Sequence, residues 1–411
     1  MTVSLAEVRA WDATDPLRSF RERFILPEGV IYLDGNSLGA LPAATGRRLA
    51  EVASAQWGEG LIRSWNAHDW IGAPARVGAK IARLIGAAPH EVVVADSTSV
   101  NLFKLLVAAL RAQGGRKVIL TEPGNFPTDL YVAHGVSDLL DGVNLRTAPA
   151  DQLADAIDDD VAVVMLTHVH YKSGALHDMA AITRRAQAAG ALMLWDLSHS
   201  AGAVEVDLGA ADADLAVGCG YKFLNGGPGA PAFLYVAERH QAALRSPLTG
   251  WMGHAAPFEF VDEYRPAEGI DRFLCGTPSV LAMSALEAGV DQFDGADMAA
   301  VSAKGQRLCS LFIALVEDRC AGYGLELITS REPSRRGTQV AFRHPNAYPI
   351  MQAMIERGVI GDFRAPDILR CGFTPLYIGF EDVWRASETL REVMATGAWR
   401  AERFQTRGRV T

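Results

Sequence analysis

Short apolar runs and longer amphipathic stretches alternate through most of the chain, and that alternation sets the expected architecture. Val92–Ala95, Lys117–Thr121, Val161–Leu166, Ala191–Trp195, Leu215–Cys219 and Ala232–Val236 each read as a buried strand. Helical spacing fills most of the gaps. Leu102, Leu105, Leu106, Ala109 and Leu110 share one face of a helix for which Ser99 is the expected N-cap. Asp178 is placed to cap another, ending near Ala189 with Gly190 as its C′ residue. Near-continuous apolar strands joined by helices predict an α/β fold, a mostly parallel sheet covered on both faces. Helical segments at 278–293 and 297–319 lead into a smaller α+β pattern, with strands at 325–329, 339–343, 359–363 and 369–372 and a closing helix near 381–394. At the start of the chain the pattern predicts a helix, a short strand at 31–33 and a helix from Pro42 to Gln56. A tryptophan-rich loop follows over 57–71, carrying Trp57, Trp65, His68 and Trp70. The expected division is a large domain over 45–275 and a small one built from 1–44 and 276–411.

Composition narrows the classes of function. At 411 residues, 49% hydrophobic and 21% charged, the chain is globular and long enough for two cores. A net charge of −9 argues against nucleic acid or an anionic membrane as partner. No signal peptide is expected from the leading residues, and no apolar stretch reads as a spanning helix of roughly 18 residues or more. Five scattered cysteines without a CxxC pair fit a reduced, cytoplasmic setting and no structural zinc. His168 and His170 lack an apparent third ligand, so no metal site is expected.

The chemistry is concentrated between Leu192 and Gly229. Asp196 closes one apolar run, and Lys222 follows another within Gly220-Tyr221-Lys222. Ligands of parallel sheets sit beyond the carboxyl ends of the strands, where both residues fall. An acid and a lysine so placed point to pyridoxal phosphate (PLP): the lysine forms a Schiff base with the aldehyde, and the carboxylate keeps the pyridine nitrogen protonated. Only six lysines occur among 39 basic residues. Lys80, Lys104 and Lys304 read as solvated helix faces and Lys117 as a strand edge, which leaves Lys172 as the rival. Ser97, Thr98 and Ser99 precede a helix and suit a phosphate. Phe126 could stack on the ring, His199 could cover it or bond the acid, and the Tyr221 hydroxyl could reach phosphate or move protons. Arg370 has the planar fork that suits a substrate carboxylate.

Asp34-Gly35-Asn36-Ser37-Leu38-Gly39, Phe126-Pro127-Thr128-Asp129, the segments 195–202 and 220–229, Gly250-Trp251 and the segment 368–377 together resemble the kynureninase family in order and spacing. The resemblance implies a fold-type I PLP enzyme, a homodimer with sites at the subunit interface. The implied reaction is hydrolysis of L-kynurenine to anthranilate and L-alanine. It implies Lys222 as the Schiff-base lysine and base, Asp196 at the pyridine nitrogen and Tyr221 for proton transfer. Thr98, Ser99, Phe126, Pro127, Thr128, Asp129, Thr167 and His199 would complete the cofactor contacts within the chain. Trp251 and Thr277 would reach the phosphate from the partner subunit, and Arg370, Ser37 and Trp65 would bind substrate. Trp65 and Thr277 lead to an expected preference for kynurenine over its 3-hydroxy derivative. The rivals are a class V aminotransferase, a cysteine desulfurase-like lyase and a non-catalytic binding protein. Residues 340–369 lack the cysteine that a desulfurase needs, and a binding protein would be expected to lose the lysine or its acid.

Overall fold

The computed structural model describes residues 3–408. Seven strands form the large sheet: β1 (Val92–Val94), β2 (Val118–Thr121), β3 (Asn144–Thr147), β4 (Val161–Thr167), β5 (Leu192–Asp196), β6 (Leu215–Gly218) and β7 (Phe233–Val236). Their order is β1-β7-β6-β5-β4-β2-β3. Pairings from β6 through β3 are parallel, and β7 runs against both β6 and β1. The sheet is therefore mostly parallel, as its unbroken apolar strands predict; β4, β5 and β6 are buried along their whole length. The sequence reading missed β3, an edge strand whose exposed and half-buried residues give no apolar run.

The smaller sheet contains β8 (Glu326–Leu327), β9 (Gln339–Arg343), β10 (Asp362–Arg364) and β11 (Ile368–Gly372), in the order β8-β9-β11-β10. The run expected as one strand over 359–363 is split. Val359–Ile360 pairs with Ile31–Tyr32 of the N-terminal segment, and Asp362–Arg364 pairs with β11. That parallel pairing joins the two ends of the chain in one unit. The helix Ala347–Ile355 was not anticipated. Conversely, the expected loop over 57–71 is helical up to Ala67 and a turn only beyond it. The helix Thr45–Glu51 widens into a π-helical stretch, Val52–Gly60, and short helices carry the chain through Ala67.

Buried partners from distant segments account for other differences. Lys104 is buried against Asp96 and the Phe273 carbonyl, and Lys304 pairs with Asp15 at 2.6 Å and donates to the Pro375 carbonyl. Lys80, half-buried, bridges Glu287 and Asp291. None of the three is a freely solvated face. The helix Met298–Arg319 is, against expectation, long and apolar enough to cross a membrane by length and composition; Val301, Leu308, Phe312 and Leu315 instead lie in the core, against the closing helix Phe380–Thr396.

Candidate active site

The carboxyl ends of β4, β5 and β6 bring the chemistry together. Thr167 ends β4 and Asp196 ends β5, directly paired in register, and Asp196 also faces Val217 of β6. Lys222 follows four residues after β6 ends at Gly218. The turn Asp34–Gly39 holds the lysine's backbone: Gly39 N–H donates to the Tyr221 carbonyl at 2.8 Å. A Cβ at Gly39 would overlap the Lys222 carbonyl, so only glycine permits this approach.

A cavity of about 120 Å³ opens there, lined by Ser97, Thr98, Ser99, Phe126, Thr128, Asp129, Thr167, Tyr171, Asp196, Ser198, His199, Tyr221 and Lys222. The helix Thr98–Ala112 points its N-terminus into the cavity. Its N-cap is Ser97, whose hydroxyl accepts from Val100 N–H, rather than the expected Ser99. With Ser97 in that role, the Thr98 and Ser99 hydroxyls sit in the first turn beside unpaired backbone donors, a site for an anion. Phe126 precedes the helix Pro127–Leu139, and its ring stands edge-on to Tyr171 at 5.2 Å. Pro127 starts that helix without lining the cavity.

The electrostatics are uneven. The Lys222 ammonium is buried and makes no hydrogen bond or ion pair with the described residues; it lies 5.5 Å from the Phe126 ring centroid and 5.9 Å from that of Tyr221. Asp129 accepts from Thr167 through one oxygen at 3.3 Å, while its other oxygen is buried without a partner. Burial and the adjacent Asp196 push the Asp129 carboxyl well above the usual range. Burial raises Asp196 too, but Lys222 and the Ser198 N–H, at 2.7 Å, pull it back down. Both carboxyls stay above the usual range, Asp129 the more strongly, and the Ser198 N–H favours the charged form of Asp196. Burial keeps His199 neutral, its Nδ1 bonded to Gln339 Oε1 at 2.9 Å, and raises the Tyr221 hydroxyl above its ordinary value.

Other expected site residues lie elsewhere. Lys172 is half-buried outside the cavity, 5.6 Å from the Tyr171 ring centroid. Trp65 meets Trp70 at 6.0 Å and Trp251 at 6.3 Å in an aromatic cluster, and Thr277 lines a separate cavity of about 290 Å³ with Asp96 and Cys275. His68 is exposed. Arg370 is buried on β11, and its fork grips Asp362, with Nε to Oδ1 at 2.8 Å and Nη2 to Oδ2. Ser37 donates to Asp362 at 2.8 Å and accepts from Arg370 at 3.0 Å. Tyr171, Ser198, Asp362 and Arg364 were not singled out in the sequence. A hydrophobic-pattern reading has no signal for them. Among the described residues no cluster of histidine, cysteine, aspartate or glutamate could hold a metal.

A buried lysine without a partner, a buried acid and an open helix N-terminus within one cavity define the site of a fold-type I PLP enzyme. Solved structures agree on the fold. The apo cysteine desulfurase from Thermococcus onnurineus NA1 superposes with a TM-score of 0.77 at 19% identity, covering 96% of this chain and 100% of that one. The cysteine desulfurase CsdA from Escherichia coli gives 0.74 at 20% identity, covering 92% and 98%. Residues 301–390 match the kynureninase C-terminal domain model. The kynureninase of Burkholderia mallei (strain ATCC 23344) is 55% identical over 98% of this chain and 99% of its own length. That of Deinococcus radiodurans is 54% identical over 95% and 97%. The chain belongs to the kynureninase family, and its cofactor is pyridoxal 5′-phosphate.

Proposed function

We propose that this enzyme hydrolyses L-kynurenine to anthranilate and L-alanine at the Lys222 cavity. The observation that carries the reading is the meeting of Lys222 and the Asp129–Asp196 pair in one cavity of a chain so similar to kynureninases. The residues fit the cofactor: an anion site at the Thr98–Ser99 turn, an aromatic face at Phe126, and a buried acid at Asp196 with an unmet polar atom on Asp129. When bound, PLP supplies an aldehyde that holds the substrate amine and a pyridinium ring that accepts electron density from the α-carbon.

The chain's own groups do the rest. Lys222 would hold the cofactor covalently and, once displaced by the substrate amine, take the proton from the α-carbon. Asp196 would keep the ring nitrogen protonated, with Asp129 beside it as the more strongly neutral-leaning acid. Thr98, Ser99 and Thr128 would hold the phosphate, and neutral His199, which lines the same cavity, would add no charge beside the cofactor. Tyr221 retains its proton at neutral pH and serves as donor while the β–γ bond breaks. Arg370 and Ser37 orient the substrate carboxylate. Release of equimolar anthranilate and L-alanine from L-kynurenine without any keto acid tests the reaction. A requirement for a keto acid would make the enzyme an aminotransferase.

The enzyme acts as a cytoplasmic homodimer, with domains at 45–275 and at 1–44 joined with 276–411. Support for the dimer is that Trp251 and Thr277 lie outside the Lys222 cavity of their own chain. The five cysteines are all free, which suits a reduced compartment. L-Kynurenine should be preferred over its 3-hydroxy derivative. Trp65 offers an aromatic face and Thr277 only a short hydroxyl, and burying an unpartnered hydroxyl costs roughly 1–3 kcal/mol. Equal kcat/KM for both substrates would show that His68 or another polar group meets the ring hydroxyl.

A further inference from the structure

Two arginines converge on one carboxylate beside the cavity. Asp362 is fully buried and accepts from Arg370 at two positions, from Ser37 at 2.8 Å and from Arg364 Nη2 at 2.6 Å. Against the upward push of burial, Arg370 and Arg364 hold Asp362 below the usual carboxylate range. Asp34, also near this cluster, is pushed up to about 7 by burial and by Asp362, so it adds little countercharge below that pH. Below about pH 7 two guanidinium charges thus face one full carboxylate, and the cluster keeps an excess positive charge.

The donors are shared unequally. A guanidinium has five N–H groups. Arg370 has Nε on Asp362, Nη2 on Asp362 and Ser37, and Nη1 on the Tyr171 carbonyl, which leaves it one N–H. Arg364 is held only through Nη2, by Asp362 and by Ser37 at 2.9 Å. Its Nη1 has no partner among the described residues, and its Nε is buried without an acceptor. Arg364 keeps 32% of its side chain accessible, against 1% for Arg370. Both are tied to the Lys222 cavity, Arg370 through the Tyr171 carbonyl and Arg364 through Ser37, whose turn carries Gly39 to the Tyr221 carbonyl.

We infer that Arg364 is a second arginine of the substrate-carboxylate site, supplying the open donors that the Asp362-filled fork of Arg370 lacks. Asp362 then acts as the fixed counter-ion that orients both guanidinium groups, and the α-carboxylate of the amino acid neutralises the excess charge. This inference rests on the reading of the Lys222 cavity as an amino-acid site.

The test compares an acid with its amide. L-Alanine and L-alaninamide share the amine that reacts with the cofactor and differ only in the carboxylate, and both are titrated through the absorbance of the holoenzyme. In Arg364→Gln the Kd for L-alanine should rise at least about tenfold, ~1.4 kcal/mol, while that for L-alaninamide stays within about twofold. Arg364→Lys, which keeps the charge, should fall between. An unchanged ratio of the two Kd values in Arg364→Gln, with the cofactor spectrum intact, overturns the inference. So does an equal loss for both ligands in both variants, which would mark Arg364 as structural. A wild type that shows no spectral response to either amine overturns instead the reading of the cavity itself.

Discussion

Burial pushes both Asp129 and Asp196 toward the neutral form and Lys222 favours the charge of both, yet only Asp196 also accepts from the Ser198 N–H. That asymmetry assigns the roles. Asp196→Asn should still bind cofactor but lose at least tenfold in kcat, about 1.4 kcal/mol, because an amide cannot hold the pyridinium proton. Unchanged turnover would move the role to Asp129. Lys222→Ala should keep the fold and abolish turnover, since alanine neither holds the aldehyde nor takes a proton. Peptide mapping that placed the cofactor on Lys172 would overturn this. These two residues were legible in the sequence because each follows an unbroken apolar run, which marks the carboxyl end of a strand. Lys104 and Lys304 were misread for the opposite reason. Helical spacing shows which face a lysine occupies, but not that Asp96 or Asp15 waits on another segment to pair with it.

At the scale of elements, β4 does more than deliver Thr167. His168 follows it, fully buried, with Nδ1 unpartnered and its ring against Trp195 at 5.7 Å. Burial, aided by His177, lowers its pKa from 6.5 to about 3. A folded-state pKa below the unfolded value gives stability that is present above pH ~6.5 and drains away as pH falls toward the folded pKa, because only the unfolded chain takes up the proton. Between pH 7 and pH 5 this one group should cost ~2 kcal/mol of unfolding free energy. In urea unfolding, His168→Leu should shrink the wild-type difference between those pH values by about that amount. An identical pH dependence in the variant would mean that the histidine titrates alike in the folded and unfolded chains. Long buried strands such as β4 and β5 were readable because their pattern is unbroken. The edge strand β3 and the helix Ala347–Ile355 were not. An edge strand can carry polar residues throughout, and Pro349 inside the helix imitates a break. Trp57 lies on a π-helical stretch, Trp65 on a single short helical turn and Trp70 in the turn beyond it, so their spacing departs from the 3.6-residue period.

At the scale of the whole molecule, the expected cofactor residues fall in more than one place. Lys222, Asp196, Phe126 and the Thr98–Ser99 turn share a cavity, while Trp251 stands edge-on to Trp65 and Phe258, and Thr277 lines another cavity. One sequence read without its partner cannot show such a division, since patterning reports burial within a chain and not across copies. If Trp251 serves the cofactor of a second copy, Trp251→Ala should lose most activity on its own, as should Lys222→Ala. Mixing the two proteins under conditions that exchange subunits then separates the arrangements. In a two-fold dimer with shared sites, half the molecules become mixed dimers. Each mixed dimer has one site with both defects and one with neither, so the mixture should recover about a quarter of wild-type activity. If Trp251 acts within its own chain, every site in the mixed dimer carries one defect and no activity returns. Recovery that follows the time course of subunit exchange places Trp251 in its partner's site. Its absence, with exchange verified by mass, would return Trp251 to a packing role in the aromatic cluster of its own subunit.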